Sequence, residues 1–494
     1  MKFLKRIFSD TECLSLFLIL TFFSLLRLPS LFEPNWYGDE GIYQVLGHAM
    51  REGRILYSGI WDNKPPLLYL TYALVGIDQF WIRFFSYLAG LLAVYACFLL
   101  SKRLFTDRRS GLLTTGLFAF LFSIPATEAN IANAENFMLV FLLFAAYFVY
   151  GTNPTKDIWK QRTLFLGGIL VSVAALYKIV AVFDFAAFFL FLAILSLPKK
   201  LTLQKEAILT AGKPALLFAT GCIVPILLTT AYFFSVGALQ PFLQATFTNN
   251  VSYVGYKNYF LFPQGLLIAK LFILAGFTLF LCWKRTSLPK NALFILLWFA
   301  FSLFNVFFSQ RPYTHYVLVA IASSSLLVGL IASEKKYRRI TLPLLGAGAL
   351  AISMTFGPIK PARVYGYYIN FIQYVAGYKT TRDYQRFFDS DVPRDYEIAE
   401  FINAHLENNK NRIIFIWGNT AQIYTLSNTL PPGRYTVAYH IASENALSET
   451  QLAIDNKKPS FIILLPDSPT PQLLLTAYTF KATIGNASIY ERTR

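Results

Sequence analysis

Two adjacent carboxylates, Asp39 and Glu40, lie in the segment NWYGDEGIYQVLGHAM, and Lys64 stands a little further on in WDNKPPLLYL. Later, PATEANIANAENFM carries Glu128, Asn133 and Glu135, and SQRPYTHYVL carries Arg311, His315 and Tyr316. A positioned carboxylate can take a proton from a hydroxyl. Lysine and arginine can hold an anion, arginine through two parallel hydrogen bonds. Together these groups suit a group transfer in which a hydroxyl is deprotonated while an anion departs. Each also has a plainer use. Asp39 can cap a helix and Glu40 can favour its dipole, Lys64 can snorkel, and an arginine or histidine can anchor a membrane interface.

The elements that must position them are membrane spans. Of the 494 residues, 55% are hydrophobic and 17% aromatic, and the mean hydropathy is +0.47. That apolar content exceeds what a water-soluble domain can bury and indicates a polytopic membrane protein. Apolar windows predict about eleven spans, near 11–28, 82–100, 111–125, 136–151, 163–177, 183–197, 214–235, 263–282, 291–308, 316–333 and 341–356. The net charge of +17 does not indicate nucleic acid, because the basic residues fall in short clusters between these windows. Alternate connections carry 21 lysines and arginines, including Lys102, Arg103, Arg108 and Arg109; the intervening ones carry six. The positive-inside bias therefore predicts a cytoplasmic N-terminus and an extracytoplasmic C-terminus, in a plasma-membrane protein whose first helix is retained.

Residues 1–360 read as the transmembrane domain, with a first outer loop at 29–81. In that loop Ile42, Val45, Leu46, Ala49 and Met50 recur at helical spacing before Gly53, which predicts an amphipathic helix on the outer membrane surface with Asp39 at or near its N-cap. Residues 65–76 are apolar but too few to span, and Pro65 suits a first helical position, so Lys64 falls at the start of a re-entrant or interfacial helix. Residues 361–494 read as a small extracytoplasmic α/β domain. RIIFIWG, RYTVAYH, FIILLP and ASIYER are its predicted strands, with helices at 394–409, 419–427 and 469–479.

DE after the first span, KPP some 25 residues later, NAENFM and RPYTHY together resemble the GT-C membrane glycosyltransferases, and among them the bacterial relatives of protein O-mannosyltransferases and of the lipid A aminoarabinose transferase. The resemblance covers about residues 10–360. It implies an enzyme that moves a sugar from a polyprenyl-phosphate donor to a cell-envelope acceptor, on the outer face of the membrane and among its lipids. It places the catalytic acid at Asp39, the lysine that meets the lipid phosphate at Lys64, and a phosphate-site loop at Arg311 and His315. DNKPP departs from the HPP of the protein mannosyltransferases, so the acceptor could be lipid, glycan or protein. In this chemistry Asp39 deprotonates the acceptor, the cations hold the departing phosphate, and the anomeric centre inverts. Glu40, Tyr43, Glu128, Asn133, Glu135 and Tyr316 then stand as substrate-binding candidates. No cofactor is expected; Glu128 and Glu135 are the one carboxylate pair suggesting a divalent cation.

The rival reading is a transporter or lipid flippase, which calls for ionisable groups near mid-bilayer, often within repeats. Lys178 and Asp184 are its best support, and no repeat is visible. The orientation has its own check. In a background lacking the four native cysteines, a cysteine at Ser58 or Ser468 should react with an impermeant thiol reagent on intact cells. One at Ser110 should react only after permeabilisation. The reverse pattern would invert the topology.

Overall fold

The computed structural model describes residues 11–151, 158–198, 205–250, 257–358, 360–406, 412–469 and 473–493. The basic residues of the N-terminal segment, Lys156, Lys199 and Lys200 lie outside them. Each of the eleven predicted spans is helical. Eight helices are long and apolar enough to cross a membrane: Thr11–Phe32, Gln79–Leu104, Ala134–Gly151, Ile179–Ser196, Gly212–Ser235, Gly265–Lys284, Thr314–Ser333 and Lys335–Phe356. The other three predicted spans are shorter, as Arg108–Leu121, Gln161–Tyr177 and Lys290–Val306.

The chain forms two compact units. One comprises Met1–Leu28, Ser86–Ala231 and Asn250–Val364. Its helices Lys290–Val306 and Leu318–Ser333 pack on each other, and they are flanked by Val182–Ser196 and Arg108–Leu121 respectively. Asp107 caps the last of these by accepting from the Arg109 and Ser110 amides, both at 3.1 Å. Asp184, a candidate for mid-membrane ion handling, is buried and accepts from Trp298 Nε1 at 2.6 Å.

The other unit comprises Pro29–Phe85, Tyr232–Asn249 and Tyr365–Arg494. The first outer loop therefore groups with the C-terminal residues, whereas the sequence reading assigned it to the transmembrane domain. Helix Gly38–Arg51 packs against Pro66–Val75 and against Gln422–Leu426. Residues 40–47 and Ala49 are all buried, so this helix is not laid on a lipid surface as expected. Two glycines allow the close approach. A Cβ on Gly47 would meet the Tyr72 and Ala73 backbone at 2.8 Å, and one on Gly41 would meet Gln422 at 2.8 Å. Gly53, with φ +84°, supplies the predicted stop.

Four strands, β1 (Phe415–Trp417), β2 (Phe461–Leu464), β3 (Tyr478–Ile484) and β4 (Ala487–Arg492), form a sheet in the order β1-β2-β4-β3. β1 and β2 are parallel; the β2/β4 and β3/β4 pairs are antiparallel. Two expectations change here. RYTVAYH holds no strand: it ends in helix Ala438–Ser443. Of the helix expected at 469–479, residues 470–472 lie outside the described residues, 473–477 are loop and turn, and Tyr478 and Thr479 begin β3, which pairs with β4 across the turn at Gly485.

Arg83 anchors this unit. It is fully buried and binds Glu40 with Nε and Nη2 and Glu33 with Nη1 at 3.1 Å. Trp36 Nε1 donates to Glu33 at 2.8 Å and Tyr367 Oη donates to it at 2.5 Å. Removing one member strands an opposite charge in the interior, which costs about 3–5 kcal/mol. Arg83→Met and Glu40→Gln should both lower the thermal unfolding midpoint of the detergent-purified protein sharply. Midpoints equal to that of the wild type would deny the cluster its anchoring role.

Candidate active site

Helix Gly38–Arg51 begins after Tyr37, whose side chain makes no capping bond. Asp39 is thus the second residue of the helix and does not cap it. Its Oδ2 accepts from Tyr43 Oη, one turn on, at 2.9 Å. Burial, and next the Asp39 charge, push the Tyr43 phenol well above its ordinary value, so it stays protonated and donates. Glu40 faces the other way, into Arg83, with 1% exposure. The two adjacent acids therefore have different surroundings: Asp39 keeps 31% of its side chain exposed, whereas Glu40 is sealed in an ion pair.

Lys64 Nζ lies 3.6 Å from Asp39 Oδ2 and 3.5 Å from Asp62 Oδ2, and 5.0 Å from the centre of the Tyr43 ring. The base and the cation expected to face each other across a substrate are an ion pair in this structure. Asp62 is 1% exposed and accepts from Tyr69 Oη at 2.7 Å. The same hydroxyl accepts from the Lys64 amide at 3.1 Å, and Tyr57 Oη donates to the Lys64 carbonyl at 2.7 Å. These bonds fix the 62–64 backbone. Pro65 and Pro66 follow as the N-cap and first residue of helix Pro66–Val75, so two of the amides that could hold an anion are missing from its start.

His440 closes the other side of Asp62. Its Nε2 is 3.6 Å from Asp62 Oδ1, beyond hydrogen-bond reach, and its ring meets Trp61 edge-on at 4.9 Å. Burial lowers its pKa to about 4; the neighbouring Asp62 opposes this and loses. His440 is therefore neutral, and its Nδ1 finds no partner among the described residues. Asp62, Tyr69 and His440 were not among the sequence candidates. Asp62 could have been found two residues before Lys64 in WDNKPP; nothing local marked His440.

The remaining candidates lie in the helical unit. Glu128 adopts a left-handed conformation, φ +59°, uncommon for a residue with a side chain. It accepts from Thr314 Oγ1 and meets His315 Nδ1 at 3.0 Å. Glu135 pairs with Lys178, whose ammonium stands 4.9 Å from the Tyr316 ring centre. Lys178, a second possible ion carrier, is thus held. Asn133 is 2% exposed, and the Arg311 amide donates to Ser309 Oγ at 3.4 Å. Among the described residues no three His, Cys, Asp or Glu side chains are grouped to hold a metal.

Comparison with known proteins adds two findings. The family model for dolichyl-phosphate-mannose-protein mannosyltransferases matches residues 47–240, less than half of the chain. The structure superposes on ArnT from Cupriavidus metallidurans bound to undecaprenyl phosphate with a TM-score of 0.57 at 17% identity, over 96% of this chain and 97% of that one. The oligosaccharyltransferase AglB from Archaeoglobus fulgidus, in complex with an inhibitory peptide and a dolichol-phosphate, aligns with a TM-score of 0.46 at 11% identity, over 91% of this chain and 69% of that one. No curated protein matches. The expected architecture, a polytopic helical membrane protein of the GT-C type with a small α/β tail, is borne out over nearly the whole chain.

The state of His440 has a measurable consequence. An unfolded histidine takes up a proton near 6.5, whereas folded His440 waits until about 4. Stability is therefore whole above that window and is lost as pH falls through it. Unfolding midpoints recorded from pH 7 to 4 should decline less steeply for His440→Gln than for the wild type. Parallel curves would show that His440 is not the group responsible.

Proposed function

We infer that the protein is an integral-membrane glycosyltransferase that moves a hexosyl or pentosyl group from a polyprenyl-phosphate donor to a cell-envelope acceptor. The observation that carries this is the Asp39–Lys64–Asp62 arrangement, one part-exposed carboxylate beside one part-exposed cation backed by a buried second carboxylate. The mannosyltransferase family match and the ArnT fold support the substrate class. Lys178 and Asp184, the groups that a transporter would use, have fixed partners instead.

In the proposed reaction the acceptor hydroxyl oxygen attacks the anomeric carbon, and its proton goes to Asp39. The bond from that carbon to the phosphate oxygen breaks, and its electron pair leaves on the lipid phosphate. Lys64 draws the phosphate, and Asp62 remains its counter-ion after Asp39 has taken the proton. Direct displacement inverts the centre. No metal ion is part of the proposal. Glu40 is read as a structural acid, since Arg83 takes both of its oxygens. Glu128 and Glu135 are read as acids that hold the 314–316 segment and Lys178. Arg311 is kept as a second anion-binding candidate. The basic-residue bias puts the acceptor site on the extracytoplasmic side.

The test is single-turnover transfer from a polyprenyl-phosphate sugar by purified variants. Asp39→Asn keeps the size but cannot accept the proton, so the rate should fall about 10²-fold or more. Glu52→Gln, at the C-cap of the same helix and exposed, is the control and should be near wild type. Lys64→Ala and Arg311→Ala should weaken donor binding by about 1–3 kcal/mol each. An Asp39→Asn enzyme with wild-type turnover would remove it as the base.

A further inference from the structure

We propose that a second pocket in the unit holding Asp39 and Lys64 binds an uncharged pyranose ring of the acceptor; this rests on the glycosyl-transfer reading above. Trp61, Gln240, Gln244, Arg434, Tyr435 and Glu444 line a cavity of about 210 Å³, below the ~300–1,000 Å³ of a drug-sized site and suited to one small ring.

The lining has the chemistry of sugar recognition. Trp61 and Tyr435, with ring centres 5.5 Å apart and planes inclined by 58°, are each only 5% exposed, so they give the cavity a narrow apolar strip rather than open ring faces. A pyranose can lay one C–H edge on such a strip. Its hydroxyls are donors and acceptors at once, and so are the primary amides of Gln240 and Gln244. Both glutamines are exposed and come from short helical turns at Leu239–Leu243 and Gln244–Thr248. The charged members are already neutralised or oriented. Arg434 Nη2 donates to Glu449 at 2.9 Å, and its guanidinium lies 4.9 Å from the Tyr435 ring centre. Glu444 accepts from Asn249 Nδ2 at 2.9 Å with both oxygens. With Arg434 spent on Glu449, the carboxylate of Glu444 disfavours a phosphate, so the occupant carries no negative charge.

The pocket joins the reaction cluster through a single residue. Trp61 precedes Asp62, its amide donates to the Arg434 carbonyl at 2.9 Å, and its ring rests on His440 beside Asp62. The sugar bonded to a phosphate at Lys64 belongs with Asp39 and Lys64. A ring stacked on Trp61 lies beyond Asp62 and His440 and is a unit of the accepting molecule.

The experiment uses the full chain in lipid nanodiscs and a panel of methyl hexopyranosides, read by saturation-transfer NMR and tryptophan fluorescence. At least one glycoside should bind saturably. The Gln240→Ala/Gln244→Ala double variant should weaken that binding about tenfold or more without moving the unfolding midpoint, and Tyr435→Leu should do so as well. A polyprenyl-phosphate hexose should leave glycoside binding unchanged. Displacement by that lipid would assign the pocket to the donor, and displacement by inorganic phosphate would make it an anion site; either overturns the proposal. So does a panel with no saturable binder, or binding indifferent to the double variant. Saturable, variant-sensitive binding by a protein without transfer activity would sink the glycosyltransferase reading and leave the pocket standing.

Discussion

One buried guanidinium organises the site-bearing unit. Arg83 draws Glu33 and Glu40 into the interior, and Tyr367 and Trp36 complete the shell around Glu33. Successive side chains of a helix differ in heading by about 100°. Once Arg83 fixes Glu40, the neighbouring Asp39 must point elsewhere, toward Tyr43 and Lys64. The pair of adjacent acids is thus a division of labour. One is sacrificed to the fold so that the other has a defined heading.

The same economy governs the lysine. A lone ammonium beside a single carboxylate would be neutralised by it, and a departing phosphate would have to compete for the charge. With Asp62 beneath, Lys64 is shared between two acids at nearly equal distance, 3.6 and 3.5 Å. Asp62 is 1% exposed and braced by Tyr69, so its carboxylate is the one held in place. Asp39 is the one that can change partners. Pro65 and Pro66 remove two of the backbone donors that phosphate sites often use at a helix start, which shifts recognition toward the lysine side chain.

How far this was legible in the sequence follows from the range of each interaction. The spans were legible because length and apolarity are local, and every predicted one is a helix. The segment around Lys64 was legible because a short apolar run after two prolines has few readings. Arg83 was missed because it sits inside an apolar window, where only the folded chain shows its two acids. His440 and Asp62 meet through tertiary folding alone. β3 was not read as a strand, and the expected helix ran into its first two residues, because YTFKATI declares itself only against β4; RYTVAYH has strand-forming residues but no neighbouring strand to pair with.

Three of the bonds that tie the tail to the 54–61 segment are blind to its side chains. Arg54 donates to the carbonyls of Gly433 and Pro431 at 3.0 and 2.8 Å, and the Trp61 amide donates to that of Arg434. Every amino acid offers a carbonyl, so substitutions across 431–434 that preserve the backbone path keep the moorings intact. The arrangement separates attachment from identity. A lineage can rewrite what this rim presents to its partners, one residue at a time, without passing through an ancestor whose reaction centre has come adrift.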